Sequence, residues 1–112
     1  MLFRSDSDLD EAALAAAAAV LALPRTVASH ASSAALRGLP VLDPRPVPCV
    51  TVSPTYTGDV HGAHLHRGAL RTGEVQRRGM VRATSPARTV VDVARESGLA
   101  AGLVVEIGRA HV

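Results

Sequence analysis

Apolar positions along this chain fall into three regimes. They are nearly continuous from 8 to 23 ("DLDEAALAAAAAVLAL"), alternate with polar positions in short runs from 49 to 84, and recur at three- and four-residue spacing from 86 onward. The first regime predicts a helix over 8–23. Asp8, Asp10 and Glu11 suit its positive N-terminus, Ser7 with Asp10 or Asp8 with Glu11 has capping-box spacing, and Pro24 ends it. Alanine is apolar all round, so the inward face is weakly marked; Leu9, Ala13, Ala16, Val20 and Leu23 make the best stripe. "SHASSAALRGLP" predicts a second, short helix. Ser29 is its N-cap, Ala34, Ala35 and Leu36 its apolar side, Gly38 fits a left-handed position after it, and Pro40 stops continuation.

Three prolines in "VLDPRPVP" exclude regular structure over 41–48. Period-two patterning then begins. Cys49–Ser53 sets Val50 and Val52 against Thr51 and Ser53 and predicts a strand; Ala63–Arg67 and Gly79–Thr84 predict two more, and "LRTGEVQRR" is a polar loop or hairpin arm. In "TSPARTVVDVARESG", Thr84 or Ser85 caps a helix with Pro86 at its first position and Gly98 at its close. Its predicted buried stripe is Ala87, Val90, Val91 and Ala94, with Arg88, Asp92, Arg95 and Glu96 on a charged opposite face. Leu99, Leu103, Val104 and Val105 open a further helix. The fold class is therefore α+β: a small, mainly antiparallel sheet of three to four strands, flanked by an N-terminal helical pair and C-terminal helices. The two N-terminal helices, joined by "PRTVA", read as a helix-turn-helix or as a corner packed on the sheet. The corner is preferred, because a recognition helix displays several polar or basic side chains and this one offers little beyond serines and Arg37.

Composition sharpens the picture. Aromatics are 2% of the chain and all twelve basic residues are arginine, so alanine, valine and leucine must fill the core. Small side chains bury little area each, and modest stability is expected unless the chain continues or docks. A net charge of +2 is too small and too dispersed for a long phosphate-neutralising stripe. Arg77, Arg78 and Arg82, with Arg71, form the one local basic patch, a contact surface for nucleic acid or an acidic partner, or simply a solvated hairpin arm. A single cysteine, Cys49, precludes an intrachain disulfide and suits a reducing cytoplasm. The apolar run 12–23 is preceded by acidic residues and falls short of the roughly 20 residues a membrane span requires, so neither a signal peptide nor a membrane anchor is expected.

Candidate chemistry is sparse. His61, His64 and His66 cluster, and alternation puts His64 and His66 on one strand face. Only Asp59 offers a nearby carboxylate, so exposed or half-buried strand histidines are the expectation, with no metal and no cofactor. Ser29 and His30 are adjacent at a helix start and are not expected to face each other as nucleophile and base; capping accounts for Ser29. No phosphate-cradling loop, nucleophile elbow or paired carboxylates appear, and no enzymatic activity is expected.

The stretches "LALPRTVASHASSAALRGLPVL", "VTVSP", "HLHRGAL" and "VRATSPARTVVDVAR" occur in an order that resembles actinobacterial AbiEi-type antitoxins of type IV toxin–antitoxin (abortive-infection) systems. Ser29, His30, Gly38, Pro40, His66, Arg67, Ser85, Pro86, Arg88, Thr89 and Asp92 carry the resemblance, over about residues 21–105. It implies a bipartite protein: a DNA-binding winged helix that represses its own operon, then a domain that counters a nucleotidyltransferase-like toxin. Similar chains carry instead a domain resembling very-short-patch-repair endonucleases. The expectation is a single antitoxin-like domain over 1–105, truncated at its C-terminus and without the N-terminal winged helix that would reach DNA. The alternative is the accessory region of an endonuclease whose catalytic part lies elsewhere. The ending "EIGRAHV", residues 106–112, is expected to be non-native: one back-translation, GAG ATC GGA AGA GCA CAC GTC, resembles the start of a common sequencing adapter. Omitting Glu106 and Arg109 leaves the net charge unchanged.

Overall fold

The computed structural model describes residues 6–41, 47–58 and 60–110, with side chains from Glu11 onward. In chain order the elements are α1 (Asp6–Ala22), β1 (Val27–Ala28), α2 (His30–Leu36), β2 (Cys49–Val52), β3 (His64–Arg67), a 3-10 turn at Thr72–Glu74, β4 (Val75–Arg78), β5 (Val81–Thr84), α3 (Pro86–Ser97) and α4 (Leu99–Ala110). The class is α+β, as the patterning predicts, but the sheet is mixed and five-stranded, in the order β3-β2-β1-β5-β4.

Its centre is the element the pattern does not show. Two residues cannot display a period, yet β1 pairs antiparallel with β2 (Val27 opposite Thr51, Ala28 opposite Val50) and parallel with β5 (Ala28 opposite Ala83). It lies in "PRTVA", so the N-terminal helices are joined through a strand rather than a tight turn. Arg37, the basic side chain a recognition helix would have offered, is spent internally: its guanidinium donates to the Thr84 carbonyl and to Gln76 Oε1. The antiparallel expectation fails at the other edge too. β3 runs parallel to β2, from Cys49 opposite His64 to Val52 opposite Arg67. Just after β2 stands buried Tyr56, whose carbonyl accepts from Arg67 and whose ring lies 5.1 Å from the Arg25 guanidinium.

One sheet face is apolar and meets α1. Val20 packs with Ala28, Val50, Val81 and Ala83, flanked by Ala17, Ala19, Leu36 and Leu65. Ala16 and Val20 are buried as the predicted stripe requires, Ala13 and Leu23 are half-buried, and the Leu9 side chain lies outside the described residues. A second cluster joins the helices: Ala34 of α2, Leu39, Val41, Val93 of α3, and Ala101 and Val105 of α4. All four β2 residues are buried, because Val50 faces the α1 layer while Thr51 faces the opposite side of the sheet, which is also covered. Gly38 does adopt the left-handed conformation, with φ +69°.

α3 corrects the sequence reading most sharply. Its buried residues are Thr89, Asp92 and Val93; Val90 and Ala94 are half-buried, and Ala87 and Val91 are exposed. Each fully buried position lies two residues on from a predicted one (Ala87 to Thr89, Val90 to Asp92, Val91 to Val93), so that polar residues meet a polar sheet face. Asp92, placed by periodicity on the solvated side, is only 4% exposed. In α4 the contact is made by small residues, Ala101 and Gly102 with Val105, leaving Leu99 and Leu103 outward. The helix includes Glu106 to Ala110, where Glu106 pairs with Arg109. Among the described residues, no helix is long and apolar enough to cross a membrane.

Gly102 sets the approach of α3 and α4. A Cβ there would lie 2.7 Å from Ala94 Cβ and 3.2 Å from Ala94 Cα. Backbone is involved, so the helices must separate. Gly102→Ala should therefore lower stability by about 1–2 kcal/mol in urea unfolding, despite alanine's better helix propensity. A stabilised variant would contradict this contact.

Candidate functional site

The sheet face opposite α1 carries Thr51 and His66, which are register partners, and Thr84, and it is covered by the start of α2 and by α3. These side chains form a polar seam with two knots. In the first, the Thr89 hydroxyl lies 2.9 Å from Ser33 Oγ and 2.7 Å from Thr84 Oγ1, and donates to the Ser85 carbonyl at 2.8 Å. Ser33 Oγ in turn donates to the Thr84 carbonyl at 3.0 Å, beside the Arg37 guanidinium. Ser33, Thr84 and Thr89 are all fully buried. The predicted cap is present alongside: Ser85 Oγ accepts from the Arg88 N–H at 3.2 Å, with Pro86 in the first turn.

The second knot is built on Ser29 and His30. Ser29 stands at the N-cap of α2, but its side chain does not cap; its carbonyl accepts from the Ser32 and Ser33 N–H groups instead. The freed hydroxyl accepts from Thr51 Oγ1 at 2.7 Å and lies 2.9 Å from His30 Nδ1. Contrary to expectation, the adjacent pair therefore faces one another. The reason is local: His30 has φ +55°, a left-handed conformation that folds its ring back over Ser29. That backbone is uncommon for a side-chain-bearing residue and costs on the order of 1–2 kcal/mol.

The His30 ring stacks on His66, with centroids 3.8 Å apart and planes at 17°, and His64 lies 4.6 Å from His66. His64 and His66 thus share a face as alternation predicts. The carboxylate that sequence proximity did not supply comes from the far end of α3: Glu96 Oε2 is 3.1 Å from His66 Nε2. His61, the third histidine of the sequence cluster, is exposed. His30, His66 and Glu96 each place a ligand-type atom within 4.8 Å of the others. Burial depresses the His30 pKa to about 4; positive charge on His66 adds to this, Glu96 opposes it, and Arg88 and His64 lower it further.

Arg88 joins the knots to the 3-10 turn. Its Nε donates to Asp92 Oδ1 at 2.9 Å and Nη1 lies 3.4 Å from Glu74 Oε1. Burial alone would lower its pKa, but Asp92 and Glu74 outweigh it and hold the guanidinium more firmly protonated. Glu74 is held below the usual carboxylate range, first by the Arg71 backbone N–H and then by Arg88, against some desolvation.

The basic patch divides. Arg77 lies directly opposite Arg82 in the β4–β5 hairpin and Arg78 opposite Val81, whereas Arg71 sits at the other end of β4 beside Glu74. Arg77 and Arg78 are exposed and Arg82 half-exposed. Among the described residues none of these four guanidinium groups makes an ion pair. A shallow open depression on the outer side of α3 is lined by Glu74, Ala87, Arg88, Val91 and Arg95.

Of the residues singled out in the sequence, Ser29, His30, His66, Ser85, Arg88, Thr89 and Asp92 converge on the seam, while Gly38 and Arg67 hold turns beside it. Thr51, Thr84, Ser33 and Glu96 belong to it as well. Comparison with known proteins finds no matching family model, no matching curated protein and no matching solved structure.

The buried imidazole gives the fold a pH dependence whose sign follows directly. In the unfolded chain His30 takes up a proton near pH 6.5, and in the folded protein only near 4. The unfolded state therefore binds more protons between those values, and this contribution to stability is lost as pH falls through that window. Melting temperature should drop from pH 7 to pH 4.5 less steeply in His30→Gln than in the natural sequence. Identical slopes would contradict a buried neutral His30.

Proposed function

We propose that this chain is an antitoxin-like binding module of a toxin–antitoxin or phage-defence locus, with no catalysis of its own, and that it engages an acidic partner surface through the β4–β5 hairpin. The observation that carries the reading is the Arg77–Arg82 pair. Like charges directly opposite on a hairpin destabilise it, yet these two stand opposed on an edge hairpin, next to Arg78, with no carboxylate against them among the described residues. Arg37 lies close enough to Arg78 for its own pKa to be lowered, chiefly by burial and then by that charge. Such a concentration of unneutralised guanidinium favours an acidic partner and steers its approach.

The seam supports the same reading from the other side. Ser29 and His30 make a hydroxyl–imidazole pair, but Ser29 is fully buried and its hydroxyl is engaged by Thr51, so the pair serves as structure rather than as an exposed nucleophile. By the resemblance, the partner is a nucleotidyltransferase-like toxin. The second reading, an accessory region of a very-short-patch-repair-like endonuclease, draws on the same arginines, since a nucleic-acid backbone is also an acidic surface.

Coexpression with the nucleotidyltransferase-like product of its own locus tests the proposal. The natural chain should relieve toxicity and co-purify with the toxin, and Arg77→Glu/Arg82→Glu should weaken the complex at least tenfold, about 1.4 kcal/mol, without lowering the melting temperature. Failure of the natural chain to bind, together with salt-sensitive affinity for duplex DNA lost in the same variant, would overturn it in favour of the second reading.

A further inference from the structure

We propose that His30, His66 and Glu96 form a binding site for a divalent cation of the zinc type, with the fourth coordination position left to water. Three elements supply the ligands: the first residue of α2, the edge strand β3 and the last turn of α3. Two imidazole nitrogens and one carboxylate, with one position open, is a donor set that zinc accepts in tetrahedral geometry.

The distances are close to those required. Ligand atoms about 2.0–2.1 Å from a tetrahedral ion lie about 3.3 Å from each other. His66 Nε2 and Glu96 Oε2 are already 3.1 Å apart, and all three candidate atoms lie within 4.8 Å. The candidate atoms thus lie within about 1.5 Å of the separations that a tetrahedral ion requires.

The surroundings prepare the ligands as outer-shell partners do in metal sites. Ser29 Oγ, itself fixed by Thr51, lies 2.9 Å from His30 Nδ1. In the tautomer in which that nitrogen donates to Ser29, Nε2 carries the lone pair available to an ion. The left-handed backbone at His30 points the same way, because a conformation that costs energy is held where it brings this ring over His66 and Glu96. Arg88 is the nearby cation, and its charge is met by Asp92 and Glu74. The His66 and Glu96 side chains are 23% and 14% exposed, which gives ion and water a route in.

The site is at the β3 edge and the arginine hairpin at the β4 edge, so this inference is independent of the proposed partner. The test is titration of metal-free full-length protein with Zn²⁺, Co²⁺ and Mg²⁺, read by calorimetry, by the visible Co²⁺ spectrum and by melting temperature. The expected result is one Zn²⁺ per chain, visible bands typical of four-coordinate Co²⁺, and a melting temperature raised by several degrees at a hundredfold excess over Kd, with no effect of Mg²⁺. Glu96→Gln and His66→Ala should each weaken Zn²⁺ binding at least tenfold, while His61→Ala leaves it unchanged. Absence of saturable Zn²⁺ binding by the natural chain, or binding that survives Glu96→Gln and His66→Ala but not His61→Ala, would overturn the proposal.

Discussion

The helical side of this protein depends on one buried hydroxyl. Thr89 sits where α3 crosses the end of β5, and its oxygen meets Ser33 of α2, Thr84 of β5 and the Ser85 carbonyl. A hydroxyl taken out of water without partners costs roughly 1–3 kcal/mol, so these groups are tolerable only together. Satisfying all of them admits one placement of α3. That requirement explains why the helix turns Thr89 and Asp92 inward and leaves Val91 outside, against the periodicity of its apolar residues. The core around it is alanine, valine and glycine, which allow backbones to approach closely but discriminate poorly between alternative packings. Specificity of register then falls to the polar seam.

The second knot extends the same logic to the edge of the sheet. Ser29, His30, Thr51, His66 and Glu96 come from four elements, and each is positioned by another member of the group. Arg88, held by Asp92 on the same helix, closes the arrangement by tying α3 to Glu74 ahead of β4. Ser29, His30, His66, Arg88, Thr89 and Asp92 therefore have identifiable structural work in this chain. A motif built of such positions describes a scaffold, and the surface that would act on a partner must be sought elsewhere. The hairpin arginines, which do no such work among the described residues, are the natural place.

Much of the architecture was legible in the sequence. The capped starts and glycine stops placed α2 and α3, the alanine run placed α1, and alternation placed β2, β3 and β5. β1 was not legible, because two residues carry no period, although it is the strand on which the sheet is centred. Nor was the parallel pairing of β2 with β3, because alternation marks a strand but not the direction of its neighbour. The seam was half legible. Ser29, His30, His66 and Arg88 stood out as pattern residues, but Glu96 meets His66 only through the tertiary fold, and a residue 30 positions away offers no local signal. The facing of Ser29 and His30 was hidden for a different reason: it depends on one left-handed residue at a position where regular helix geometry was assumed.

The central claim is that the hydroxyl knot acts as a unit in placing α3. A double-mutant cycle joining Ser33→Ala and Thr89→Val, followed by urea unfolding, measures it directly. The two substitutions should be non-additive by about 1 kcal/mol, since either one already breaks the shared contact. Strict additivity, or two variants as stable as the natural chain, would contradict it.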